Sequence, residues 1–194
     1  AATSPIALTC ALSTGVAKNP GVLTQPTKSL LAKSYTMRIV TNCGNIIAIV
    51  DAKNAPITVR NIAFLATNKY FDNTLCHRLT TAGIDVLQCG DPTASGSGGP
   101  GFNYADENLP VKKAKNRYPA GTIAMANAGP GTNGSQFFLV YDNGSFDLPA
   151  NYTIWGRITG GLNILKAIAA KGVVGGGADG APVQAITILS LRIR

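Results

Sequence analysis

Histidine occurs once in the 194-residue chain, as His77, so a multi-histidine metal site cannot be assembled and a nucleophilic relay would have only Asp91 to lean on. No C-x-x-C pair is present, which argues against zinc, and no metal is expected. Long apolar runs are missing too. The longest are short pieces such as Ile46 to Val50, far below the roughly 20 residues of a membrane-spanning helix. Acids are scarce, with 9 Asp and Glu against 17 Lys and Arg, none before Asp51, and a formal charge of +8. The early bases Lys18, Lys28, Lys33 and Arg38 and the cluster Lys112, Lys113, Lys115 and Arg117 come without interleaved aromatics or a nucleic-acid module. Specific nucleic-acid binding is therefore not expected, whereas a loose attraction to an anionic envelope surface is. The chain opens Ala1-Ala2-Thr3-Ser4 without an initiator Met, a charged n-region or an apolar h-region, as a sequence does after signal processing or trimming.

What is present suffices for a real core. Hydrophobic residues make up 45% and charged residues 13%, which suits one domain of ordinary size plus an appendage. Four cysteines (Cys10, Cys43, Cys76, Cys89) form an even set, so two disulfides are expected, with three connectivities open. That points to an exported protein, secreted or held at the cell envelope; the alternative is four reduced, buried thiols in a cytoplasmic chain.

Residues 1–34 mix Pro, Gly, Thr, Ser and Lys without a sustained period and are expected to form an extension or a linker near an anchor, with the folded domain over 35–194. Tyr35 to Thr41 and Ile46 to Val50 alternate like strands around the turn signal Asn42-Cys43-Gly44-Asn45. Pro56 opens a helix whose apolar positions run to about Tyr70, and a second helix over Leu162 to Lys171 stops at Gly172. Further strands are expected at Leu75 to Leu79, Val86 to Cys89, Thr122 to Ala126, Gln136 to Tyr141, Thr153 to Ile158 and Ala185 to Ile193. Many short strands with two helices argue for a mainly β fold, a closed antiparallel barrel capped by those helices.

Within this frame, Asn127-Ala-Gly-Pro-Gly-Thr-Asn-Gly-Ser-Gln-Phe-Phe138 is too polar for core and too ordered for a linker. Its turn dipeptides hold backbone groups outward, and the following strand should present Gln136 and Phe138 on one face. Gly96-Ser-Gly-Gly-Pro-Gly101 satisfies G-x-G-x-x-G on paper, but Pro100 and the residues after it open no helix, so a nucleotide site is rejected. The sequons at Asn133, Asn143 and Asn151 are taken as turn chemistry. His77 is expected to be a satisfied structural histidine, with Arg78 facing the other way on the same strand.

Cys76-His77-Arg78, Gln88-Cys89-Gly90-Asp91 and the 127–138 segment together resemble the cyclophilin peptidyl-prolyl isomerases, in particular a bacterial, envelope-associated subgroup of B type, from Tyr35 to the C-terminus. The resemblance implies an eight-stranded barrel and a cofactor-free isomerase acting on exposed X-Pro bonds of exported or folding polypeptides. It implies Arg78 as the catalytic residue. It also implies that Val86, Phe138 and Leu148 line a proline slot, that Gln88 and Asn127 hold substrate backbone, and that Gly96, Ala126 and Gln136 shape the groove. Rotation about an X-Pro bond needs no nucleophile, metal or proton relay; it needs the partial double bond weakened, which a guanidinium does by hydrogen-bonding the twisting amide. Uncatalysed exchange takes tens of seconds, so a millisecond step means a barrier lower by roughly 6 kcal/mol.

Departures from the family's pattern are local. Cys76 stands where Phe is usual, the stretch from Arg78 to Gln88 is longer, and Thr80 to Asp85 is expected to be an altered turn that leaves Ile84 or Asp85 in place of a groove Phe. Tyr152 stands where many members have His. The Trp of drug-sensitive members has no counterpart at Phe146-Asp147, so weak cyclosporin binding is expected. In the barrel so implied, the runs around Arg78 and Gln88 pair antiparallel, which brings Cys76 to Cys89 and leaves Cys10 for Cys43. The rival reading is a non-catalytic module that binds proline peptides at the cell envelope.

Overall fold

The computed structural model describes residues 8–143 and 148–194. Ten strands form one antiparallel sheet: β1 (Ser34–Thr41), β2 (Gly44–Asp51), β3 (Thr74–Leu75), β4 (Arg78–Ala82), β5 (Ile84–Cys89), β6 (Thr122–Met125), β7 (Phe137–Val140), β8 (Ile154–Gly160), β9 (Asp179–Gly180) and β10 (Thr187–Ile193). Their order is β3-β10-β1-β2-β8-β6-β7-β5-β4-β9. The mainly β fold with two helices is as expected. In detail, two-residue strands are added at either end of the eight longer ones, and the sheet curls without its edges hydrogen-bonding to each other.

Period-two alternation explains the two faces. Leu79, Leu87, Cys89, Met125, Phe137 and Leu139 point into the main core, where they meet α1 (Pro56–Thr67) and α2 (Leu162–Ala169) through Val59, Ile62, Leu65, Leu165 and Ile168. Their sequence neighbours Val86, Ala124, Phe138 and Val140 build a second, smaller apolar cluster with Tyr118 and Leu148 on the opposite face. Helix α1 opens with Pro56 at its first turn, and Glu107 caps it from another segment by accepting from the main-chain N–H groups of Ile57 and Thr58. Both helices are shorter than their apolar periods suggest; after α2, single-turn hydrogen bonds carry the chain to Gly172.

Two expected features differ. The single strand over Leu75 to Leu79 is split, because Thr74–Leu75 pairs with β10 while Arg78 onward pairs with β5. Cys76-His77 is therefore the covalent link between the two ends of the sheet, and the disulfide Cys76–Cys89 fastens that seam to β5. The expected turn over Thr80 to Asp85 is instead a tight hairpin in which Ala82 pairs with Ile84 around Gly83 alone. β-branched Thr80, Thr81 and Ile84 favour strand, and Gly83 takes the positive φ (74°) that the apex demands.

Residues 8–33 carry no helix or strand but lie against the rest of the molecule. The disulfide Cys10–Cys43 anchors them to the β1–β2 turn. Beyond it, the N–H groups of Val16, Lys18 and Leu23 donate to the carbonyls of Asn73, Pro92 and Pro100, so the segment passes the β3 edge and reaches the Gly-rich loop. Its bases stay mostly exposed, although Lys18 Nζ donates to the Asp72 carbonyl.

Removing the disulfides should have separable effects. Chain-entropy arguments give about 3 kcal/mol for the Cys76–Cys89 loop and about 4 kcal/mol for the longer Cys10–Cys43 loop. A Cys76→Ser/Cys89→Ser variant should lose both stability and turnover because it loosens the seam beside Arg78, whereas Cys10→Ser/Cys43→Ser should lose stability alone. Denaturant titration with a parallel turnover assay checks this, and thiol counting on unreduced protein should find no titratable thiol.

Candidate active site

Arg78, Gln88 and Phe138 share the face opposite the core because Arg78 pairs directly with Gln88 across β4–β5, and Gln88 with Phe138 across β5–β7. They open onto a slot of about 220 Å³. Its apolar wall is Val86, Phe138 and Leu148 with Ile84, and Ala126, Asn127 and Tyr152 complete the rim. Of the two alternatives for the groove residue after Thr81, Ile84 is the one on the slot, since Asp85 is turned toward the Tyr141 hydroxyl. The Phe138 ring stands edge-on to Tyr152 at 5.4 Å and to Tyr118 at 6.1 Å, a packing that fixes the slot floor. Burial pushes the Tyr118 phenol up to about 12, so it remains a donor to the Pro149 and Tyr152 carbonyls. Arg117, from the second basic cluster, donates to the Leu148 carbonyl and to that of Lys112, and thus serves structure. The neighbouring Phe146 and Asp147, on which the cyclosporin expectation rests, lie outside the described residues.

A chain of polar contacts crosses the floor. The Arg78 guanidinium donates through Nε and Nη2 to both oxygens of Asp179, at 2.7 Å each, and through Nη1 to Gln88 Oε1. Gln88 Nε2 donates to Gln136 Oε1, and Gln136 Nε2 to the carbonyls of Gly96 and Gly98. Beyond Gln136 lies a second, larger cavity of about 630 Å³ along the Gly-rich loop, sharing Gln88, Ala126 and Asn127 with the slot. Fully buried Asp91 gathers that loop by accepting from Thr93, Ser95, Gly96 and Gly98. Burial alone would raise its pKa, but the bonds from Thr93, Gly98 and Gly96 outweigh it and hold the carboxyl below the usual range. A side chain at Gly98 would collide with that carboxylate, which is why glycine stands at this position. The Asn127 side-chain amide is used locally, donating to the Asn151 carbonyl and accepting from Gly129 N–H.

His77 departs from expectation. Both ring nitrogens are shielded and neither has a hydrogen-bond partner among the described residues, because the ring is enclosed at the seam between β3 and β4. Burial pushes its pKa below the ordinary value, with Arg78 adding to the effect and Asp91 opposing it. Asn133 is buried, its amide donating to Ala105 and Asp106, which leaves no room for a glycan. Among the described residues no cluster of His, Cys, Asp or Glu could hold a metal ion, and no helix is long and apolar enough to cross a membrane.

The histidine sets a pH dependence. Below about pH 6.5 the unfolded chain takes up a proton that the folded ring resists until its lowered pKa is reached, so stability should fall as pH falls through that window. Unfolding midpoints of wild type and His77→Gln at about pH 7.5 and 5.5 test it, because carboxylates hardly titrate there. Equal losses in both proteins would refute the assignment.

Sequence reasoning missed Asp179 and the organising role of Asp91. Asp179 lies in a Gly-rich stretch without hydrophobic period, and only the β4–β9 pairing of Thr80 with Asp179 brings its carboxylate to the site. Asp91 was legible as part of a motif, but not as the acceptor around which the loop folds.

Fold and site together define a curled β-sheet protein with an apolar slot and a fixed cation on its outer face. The chain belongs to the family described as cyclophilin type peptidyl-prolyl cis-trans isomerase/CLD, which residues 36–193 match. It is 47% identical over 165 residues to the probable peptidyl-prolyl cis-trans isomerase B of Mycobacterium leprae, covering 80% of this chain and 55% of that protein. It is 37% identical to peptidyl-prolyl cis-trans isomerase B of Streptomyces anulatus, over 72% of this chain and 86% of that one. The chain thus spans about half the length of the mycobacterial relatives it matches. Among solved structures, a Cryptosporidium parvum cyclophilin-type peptidyl-prolyl cis-trans isomerase superposes with a TM-score of 0.71 at 29% identity, covering 83% of this chain and 98% of that one. A second structure of it, in the presence of the dipeptide Ala-Pro, gives 0.69 over 82% and 98%.

Proposed function

We propose that the chain is a cofactor-free peptidyl-prolyl cis-trans isomerase acting on X-Pro bonds of exported or folding polypeptides. One observation carries the reading: a guanidinium at the mouth of a slot whose apolar floor is sized for a small ring. The pyrrolidine enters between Val86, Phe138 and Leu148, excluding water from the bond that turns. Arg78 donates to the amide as it loses planarity, and its charge does not depend on pH in the working range. Gln88, Asn127 and Tyr152 grip the flanking backbone, while Gly96, Ala126 and Gln136 shape the cavity beside it. Support comes from family membership and from the Ala-Pro dipeptide present with the structural relative.

Two disulfides fit an oxidising compartment, and the reading includes a secreted or envelope-associated location, with residues 1–34 as an extension of the domain over 35–194. The +8 charge supports a loose association with anionic envelope material. Weak cyclosporin binding belongs to the same reading, on sequence alone.

Exchange NMR on an Ala-Pro-Phe peptide decides the matter: cross-peaks between cis and trans forms should appear at catalytic protein concentrations. Saturable binding without enhanced exchange would instead establish the proline-peptide binding module.

A further inference from the structure

The Arg78–Asp179 contact has the geometry of a positioning device. Arg78 has five N–H donors, of which Asp179 takes two and Gln88 one, leaving two for a substrate. Both partners are partly exposed, with side chains 39% and 55% accessible, so the pair adds little to stability. What it does do is remove the rotational freedom of a long side chain. The side-on fork through Nε and Nη2 fixes the guanidinium plane, and Gln88 fixes its tilt. Asp179 itself is held, because Thr80 pairs with it across β4–β9 and Thr81 N–H donates to the Ala178 carbonyl. The hydrogen bonds from Arg78 hold the Asp179 carboxyl below the usual range, so the fork persists in mildly acid solution.

We infer that Asp179 is a positioning residue for isomerisation: from the Gly-rich segment after α2 it locks Arg78 in the orientation that aims its two unspent donors at the twisting amide. This rests on the proposed role of Arg78. Aligning the donor before the substrate arrives lowers the reorganisation needed in the transition state, so the effect belongs to kcat and not to ground-state binding.

The test uses the full chain with Asp179→Asn and Asp179→Glu, each measured for kcat, KM and melting temperature, with Arg78→Ala and the double variant completing a cycle. Asp179→Asn should lower kcat about tenfold with KM and melting temperature unchanged, since it loosens a pre-aligned group. Asp179→Glu should recover part of the loss, and in an Arg78→Ala background Asp179→Asn should do nothing further. The Arg78 Nε–H, bonded to Asp179, should exchange more slowly in wild type than in Asp179→Asn. Wild-type or raised kcat in Asp179→Asn, with Arg78→Ala inactive, overturns the positioning role alone. Undiminished turnover in Arg78→Ala overturns the reading of Arg78 beneath it.

Discussion

Arg78→Ala should lower kcat about 100-fold, the usual consequence of deleting one prealigned donor to a transition state. The melting temperature should hardly change, because the side chain lies on the slot face, outside the main core. Arg78→Lys should be nearly as poor. A lysine ammonium keeps the charge but cannot engage both oxygens of Asp179 side-on while also reaching Gln88 and the substrate amide. Line-shape or exchange NMR on an Ala-Pro peptide gives the rates. Near-normal turnover in the lysine variant would mean that charge alone suffices and that the planar fork is irrelevant.

Phe138→Ala should cost about 3 kcal/mol of stability, at the low end for removal of a buried aromatic ring because the site already opens into a slot. The ring is only 5% exposed and is the shared edge-on partner of Tyr118 and Tyr152, so its loss unsupports both walls. Substrate affinity should fall with it, since the pyrrolidine loses its floor. Phe137→Ala is the matched control. Phe137 meets Phe71 and Trp155 in the main core, so its removal should destabilise at least as much without a separate loss of affinity. Denaturant midpoints together with KM values for both variants check this, and a Phe138→Ala protein of unchanged KM would place the substrate elsewhere.

The alternation of side chains makes much of the site legible in the amino-acid sequence. Once Arg78-Leu79, Val86-Leu87-Gln88 and Phe137-Phe138 are taken as strands, period two alone assigns Arg78, Gln88 and Phe138 to one face and Leu79, Leu87 and Phe137 to the other. Pro56 opens α1, and Gly172, at positive φ, ends the turns that follow α2, both by local backbone chemistry. These are short-range effects, decided by residues within a turn or two of each other. The break at Cys76-His77, the unpartnered histidine at that seam and the tie from Asp179 to Arg78, 101 residues away in sequence, are not legible in this way. Each depends on which distant segments meet, and Gly175 to Gly180 carries too little side chain to encode a partner locally. Which residues of β4, β5 and β7 face the slot follows from the order of amino acids, because a strand's pleat alternates its side chains. What holds Arg78 in place follows from the three-dimensional fold, because a hydrogen-bonded fork exists only when curling of the sheet carries β9 to the edge of β4.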